Sequence, residues 1–301
     1  MKVLRRSSKA AIWSEAYRRS ALSIGFVPTL GGLHEGHLSL VRQARLECDR
    51  VAVSIYLNPS QFHSDEDLES YPCDLDADIE ACRAEGADLV LLGQQEDFSP
   101  EHFQSWVLVE DLARGLCGTG RPGHFRGVCT VVTQLFHVIR PHRAYFGLKD
   151  FQQAKIVKKL TEELLFDVEI CLMPIIRSQD GLALSSRNDR LTETQRAAAP
   201  ALHEALVGAR SLISSGETSV DAVKEFLLSR LDGVAGCELE YVEVLSAATL
   251  GEFPGQVLNT SGEGVLVALA VIFDEVRLID NIQVQDAGAS DQVEPGSEGG
   301  S

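Results

Sequence analysis

The 301-residue chain is short of positive charge: 27 Lys and Arg face 44 Asp and Glu, a formal net charge of −17. Nucleic-acid binding draws on clustered cations that displace counterions from phosphates, so this balance argues against DNA or RNA as a partner. An anionic small molecule such as a nucleotide would need a local basic pocket within an acidic field. Cysteine pairing is also missing. The seven cysteines (48, 73, 82, 117, 129, 171 and 237) are odd in number and none forms Cys-x-x-Cys. Free, mostly buried thiols in a reducing, cytoplasmic compartment are expected. No apolar run reaches membrane-spanning length; the longest, Gly264 to Phe273, covers about half of the ~20 residues required. No signal-peptide core is present. The basic N-terminus, with Lys2, Arg5, Arg6, Lys9, Arg18 and Arg19, looks only superficially like a transit peptide. No internal repeat is found, and the segment from Asp286 has four acids, no base and almost no large apolar side chain. Otherwise 45% hydrophobic and 24% charged residues suit an ordinary globular protein.

Two runs stand out against this background. Pro28-Thr29-Leu30-Gly31-Gly32-Leu33-His34-Glu35-Gly36-His37 follows an apolar run and precedes a segment of helical spacing. A strand, a Gly-rich turn and a helix start expose backbone N–H groups that can hold phosphate. His34 and His37 lie three apart, so a helical first turn puts them on one face, where they could stabilise phosphate charge. The zinc pattern H-E-x-x-H needs its histidines four apart and does not apply. The second run, Ser185-Ser186-Arg187-Asn188, offers hydroxyls and a fixed guanidinium fork, although alone it could be a Ser-rich turn.

Through residue 177, strand-like runs at 23–28, 50–57, 87–92, 144–147 and 168–176 alternate with helical patterns at about 37–47, 75–85, 125–139 and 149–164. Continuous apolar strands between helices predict a parallel sheet buried on both faces. Ligands bind such sheets beyond the strands' carboxyl ends, where the runs at 28–37, 58–62 and 146–153 begin. After Asn188 the texture changes. Thr192 and Gln195 predict a capping box. Helical patterns reach about 231, and short strands follow at 239–245, 265–273 and 276–279.

Taken in order, the runs at 28–37, Asn58-Pro59-Ser60-Gln61-Phe62, Arg121-Pro122-Gly123-His124-Phe125-Arg126-Gly127-Val128, Tyr145 to Gln153 and Gly181 to Asn188 closely resemble the pantoate–β-alanine ligase family, from about residue 1 to 283. The resemblance implies an α/β fold. A Rossmann-like parallel-sheet domain with helices on both faces would span 1–179, starting with a helix. A smaller C-terminal α+β domain would span 180–283, and a disordered acidic tail 284–301. The implied activity is ATP-dependent condensation of pantoate with β-alanine through pantoyl adenylate, releasing AMP and pyrophosphate. A related nucleotidylyltransferase that stops at an adenylated product is the alternative; a binding module with a decayed site is opposed by the intact motifs.

By this resemblance His34, His37, Lys149 and Arg187 contact the reacting phosphates. Leu30, Gly36, Gly147, Asp150, Ile176, Ser185 and Ser186 complete the ATP site, Asp150 on the ribose and Gly147 and Ile176 at the adenine. Gln61 and Gln153 hold pantoate, with Asn58 and His124 nearby. Arg121 and Arg126 fall in the site region, where either could instead hold a loop. Mg²⁺ is expected mainly on the ATP phosphates, with Asp78 as a weak protein candidate; Ala77 stands where the family often has a second acid. Leu148 replaces a usual Glu beside Lys149, which would remove a charge from the ATP region. The family suggests a homodimer.

Overall fold

The computed structural model describes residues 1–62, 68–69 and 71–286. The expected tail therefore lies almost wholly outside the described residues. The first part of the chain runs β1 (Lys2–Leu4), α1 (Ser7–Arg19), β2 (Ile24–Thr29), α2 (Glu35–Glu47), β3 (Arg50–Ile55), α3 (Leu75–Ala84), β4 (Leu89–Leu92), α4 (His124–Ile139), β5 (Arg143–Gly147), α5 (Phe151–Glu163) and β6 (Glu169–Met173). The six strands form one all-parallel sheet in the order β1-β4-β3-β2-β5-β6. Helices cover both faces, as their apolar runs require. Ile24, Phe26, Ala52, Leu89, Leu91, Ala144 and Phe146 turn to one face and pack under α1, α4 and α5. Val27, Val51, Val53, Val90, Leu92 and Tyr145 turn to the other, under α2 and α3. The alternation is the pleat itself, and burial on both sides explains why the strand centres are almost continuously apolar, with Ser54 a buried exception.

The strand β1 was not foreseen; the chain opens with it rather than with a helix. Three residues pairing with β4 at the sheet's edge give no periodicity to read. The expected strand at 168–176 leaves the sheet at Met173, before Pro174.

From Ser186 the chain forms a helical turn (Ser186–Arg190), then α6 (Glu193–Ala198), α7 (Ala201–Ser214), α8 (Val220–Leu231), β7 (Cys237–Ser246), β8 (Val265–Phe273) and β9 (Val276–Val284). The expected capping box is present: Thr192 Oγ1 accepts from Gln195 N at 3.3 Å and Gln195 Oε1 accepts from Thr192 N at 2.9 Å. The three strands form an antiparallel sheet in the order β7-β8-β9. Val265, Val267, Leu269, Val271 and Phe273 of β8 pack with α7 and α8. Leu266 and Ala268 face the other way, against Leu116, Leu148 and Phe151 of the larger domain. The longest apolar run in the chain is thus a central strand buried on both faces. Among the described residues no helix is long and apolar enough to cross a membrane.

The strand β9 runs through Val284, well beyond the expected stop at Ile279 and one residue into the expected tail. Asp280 and Asn281 hid it, because Asp and Asn are depleted in strands. Both are buried here and both have partners, described below. The thiols are free; Cys48, Cys82, Cys117 and Cys129 are buried, and Cys73 is exposed.

Candidate active site

In the parallel sheet the chain runs outward from β2 through β3 to β4, and from β5 to β6 in the opposite direction. The order reverses between β2 and β5, and a crevice opens there beyond the strands' carboxyl ends. The Gly-rich turn leaves β2 on one side of it and the Leu148–Asp150 turn leaves β5 on the other.

The Gly-rich turn is built by its own residues. Gly31 and Gly32 take positive φ (105° and 64°), and a Cβ on Gly32 would stand 2.4 Å from the Pro72 carbonyl oxygen. Only glycine fits. Asp78, at the start of α3, is buried and accepts from Gly32 N at 2.9 Å and Leu33 N at 2.7 Å. Both its oxygens therefore hold the turn. Asp78, expected as a weak metal candidate, thus braces the Gly-rich turn from behind and lines neither cavity described below.

His34 is the N-cap of α2. Its Nδ1 accepts from Gly36 N at 3.1 Å, while His37 Nδ1 accepts from His34 N at 3.4 Å. Gly36 is required by the first contact, since a Cβ there would lie 2.8 Å from the His34 ring. The rings stand 4.2 Å apart, as the spacing implied. Burial, Lys149 and, for His37, the neighbouring His34 ring hold both imidazoles far below the usual range, to about 4 and about 3. Each is therefore neutral near pH 7, and with Nδ1 accepting, its proton sits on Nε2. The two histidines are preorganised neutral N–H donors at a helix N-terminus, not cations.

A cavity of about 230 Å³ lies against this turn. Leu30, His34, Gly36, His37, Gln61, His124, Gly147, Lys149, Asp150, Gln153, Ile176, Ser185, Ser186 and Arg187 all line it. Fourteen of the sixteen residues that the resemblance assigned to ATP, pantoate or metal thus meet in one place, with Arg121 beside them; Asn58 and Asp78 do not reach it. Asn58 is buried beneath, where its Oδ1 accepts from Ser60 Oγ at 2.9 Å and its Nδ2 donates to Gly127 O at 3.3 Å and Gln61 Oε1 at 3.4 Å. It fixes Gln61 rather than facing a ligand. His124 lines the cavity, yet its Nδ1 donates to Gln61 O at 2.6 Å and its Nε2 faces Arg121 Nη1 at 3.4 Å. Burial and Arg121 push its pKa down to about 4, so it too is neutral and serves to position Gln61 and Arg121. Arg126 lies over the Trp106 ring at 4.5 Å and lines neither of these two cavities. Leu148 likewise lines neither; it packs into the apolar cluster between the domains.

A second, larger cavity of about 680 Å³ shares Arg121, His124, Lys149, Asp150, Gln153, Ser185 and Arg187 with the first. Its far wall is the small domain: Glu240 and Tyr241 of β7, and Arg277 and Asn281 of β9. Arg277 makes a forked pair with Glu240, Nε to Oε2 at 2.6 Å and Nη2 to Oε1 at 3.1 Å. None of these was anticipated. Tyr71 was missed as well. It lines the smaller cavity, donates to Gly31 O at 3.3 Å, lies 5.7 Å from the Arg187 guanidinium and pairs with Ser186, and burial raises its pKa.

Among the described residues no group of three or more His, Cys, Asp or Glu could hold a metal ion.

The sequence profile of the pantoate-beta-alanine ligase family matches residues 2–283. A pantothenate synthetase from Acetivibrio thermocellus is 44% identical over 265 residues, covering 87% of this chain and 92% of the relative. One from Thermotoga neapolitana is 43% identical over 281 residues, 93% of this chain and 99% of the relative. A pantothenate synthetase structure from Thermus thermophilus superposes with a TM-score of 0.86 at 37% identity, covering 95% of this chain and all of that one. A pantoate-beta-alanine ligase from Francisella tularensis, complexed with β-γ ATP and β-alanine, superposes with a TM-score of 0.76 at 30% identity, covering 94% and 97%.

Proposed function

We infer that this chain, which belongs to the pantoate–β-alanine ligase family, joins its two substrates in two steps within one cleft. The overall reaction is that of the family: ATP-dependent condensation of pantoate with β-alanine to give pantothenate. In the first step a pantoate carboxylate oxygen attacks the α-phosphorus of ATP, and the bond to the bridging oxygen of the leaving pyrophosphate breaks. In the second the β-alanine nitrogen attacks the acyl carbon of pantoyl adenylate, the carbon–oxygen bond to AMP breaks, and the amine loses a proton. No covalent enzyme intermediate is required, so the protein's work is alignment and stabilisation of phosphate charge.

The observation that carries this reading is the convergence of a phosphate-gripping set and an acid-gripping set on one cavity. His34 and His37 offer Nε2–H donors, Lys149 and Arg187 fixed charge, and Ser185 and Ser186 hydroxyls. Leu30, Gly36, Gly147, Asp150 and Ile176 line the same space and complete the nucleotide site, Asp150 toward the ribose and Gly147 and Ile176 toward the base. Gln61, held by Asn58 and His124, and Gln153 across the cavity suit the hydroxyls and carboxylate of pantoate, since an amide both donates and accepts. Magnesium borne by the nucleotide would neutralise phosphate charge, with phosphate oxygens and water as its main ligands. Work in the cytoplasm fits seven unpaired thiols; a homodimer rests on the family resemblance.

The test is a quench experiment. Enzyme mixed in stoichiometric amount with ATP and pantoate, without amine, should yield pantoyl adenylate and pyrophosphate. Later addition of β-alanine should convert the adenylate to pantothenate and AMP. An adenylated product that accumulates and never reacts with the amine would favour a nucleotidylyltransferase instead.

A further inference from the structure

β9 carries two polar residues in succession, Asp280 and Asn281, which are 3% and 6% exposed. Neighbours in a strand point to opposite faces, and these two address different parts of the larger domain. Asp280 takes a forked pair from Arg177, which follows β6, with Nη1 to Oδ2 at 2.6 Å and Nη2 to Oδ1 at 2.9 Å. It also accepts from Asn281 N at 2.7 Å, which stiffens the pair. The side-chain amide of Asn281 donates to two consecutive carbonyls, Leu148 O at 3.0 Å and Lys149 O at 2.9 Å.

Those carbonyls belong to the Leu148–Asp150 turn, from which Lys149 lines both cavities. The turn has no side-chain cap of its own: neither Gly147 at its start nor Asp150 at the start of α5 supplies one. The small domain provides the restraint instead, from 132 residues away. A lysine is a point charge on a flexible stem, so its contribution depends on where its backbone is held.

We propose that Asn281 is a positioning residue for adenylation, holding the Lys149 backbone so that the ammonium meets the phosphates. The proposal rests on Lys149 contacting phosphate. It makes the small domain part of the adenylation machinery rather than only the cleft's far wall.

The test is a double-mutant cycle read by exchange of labelled pyrophosphate into ATP in the presence of pantoate. Asn281→Ala and the isosteric Asn281→Asp both lack the amide donor. Each is expected to lower the exchange rate by about tenfold, with half-saturation by pantoate changed less than about twofold. In a Lys149→Ala background the same change should cost less than about twofold, because the group it positions is gone. Full multiplication of the two losses would overturn the proposal, as would wild-type exchange in Asn281→Ala. If neither variant folds with near-parental melting, the role is structural and the proposal also falls. Unchanged exchange in Lys149→Ala alone would instead break the assignment of Lys149 itself.

Discussion

The cleft's two walls are made in different ways. The wall on the larger domain is local chemistry. Gly31, Gly32, His34, Gly36 and His37 lie within seven consecutive residues, and the two histidines cap one helix start, His34 accepting from Gly36 N and His37 from His34 N. The wall on the small domain is assembled at long range. Glu240 and Arg277 meet across the sheet 37 residues apart, and Asn281 reaches carbonyls 132 and 133 residues away. Contacts made within one turn leave a fixed spacing in the sequence; contacts made by strand register leave none. The first wall should therefore fail chemically when altered, and the second by loosening.

The largest loss is expected at the local wall. His34→Ala or His37→Ala removes one preorganised donor from the site, and turnover should drop on the order of 10²-fold or more while stability falls by only about 1 kcal/mol for the lost helix cap. Steady-state kinetics beside a thermal melt checks this; near-normal turnover would take that histidine out of the site. At Asp280 of the far wall, which pairs with Arg177 rather than holding the Lys149 turn, the expected failure is the reverse. Asp280→Ala leaves the Arg177 guanidinium, itself only 18% exposed, without its carboxylate. A stability loss on the order of 3 kcal/mol in denaturant titration is expected. A fall in activity with unchanged stability in Asp280→Ala would show that this pair, too, acts on the chemistry rather than on the fold.

The acid-gripping set should show a smaller and selective loss. Gln61→Ala or Gln153→Ala forfeits hydrogen bonds to a charged ligand worth roughly 1–3 kcal/mol. Half-saturation by pantoate should rise far more than that by ATP; an equal rise would move these residues to the nucleotide.

The same walls were unequally legible in the sequence. The parallel sheet, its helices and fourteen of the cavity's residues could be read because each strand end carries its own motif. Asn58, Asp78 and His124, which the resemblance placed at or near ligands, have polar atoms bonded to neighbouring protein groups. Motif position says that a residue is near a ligand and not whether its polar atoms are already committed. The Gly32 and Leu33 N–H groups claim Asp78, and the Gln61 carbonyl and Arg121 claim His124. Tyr71 and Asn281 were missed because their partners are remote. The one available signal was the pair Asp280-Asn281 within an apolar stretch, which led instead to an early end for the strand.

A subtler difference should appear with pH. His34 and His37 at the first wall, His124 between the walls, and His142 and His203 elsewhere all have folded-state pKa values pushed below 6.5, chiefly by burial. The unfolded chain then binds more protons than the folded one in mild acid. Their stabilising contribution is complete above about pH 6.5 and declines as pH falls toward about 4. Melting temperature without ligand should drop over that window. The drop should shrink in His34→Gln, which cannot take up the proton; an equal drop in that variant would show that other groups dominate.

The central claim is that the larger domain's wall, with the Lys149 turn held in place, aligns a carboxylate with the α-phosphate before any amine is bound. Pyrophosphate exchange tests it most directly. Labelled pyrophosphate should enter ATP when pantoate is present and β-alanine is absent, and Lys149→Ala should suppress this exchange and the overall reaction together. Exchange that depends strictly on β-alanine would contradict the stepwise account and point to an amine-gated or concerted reaction.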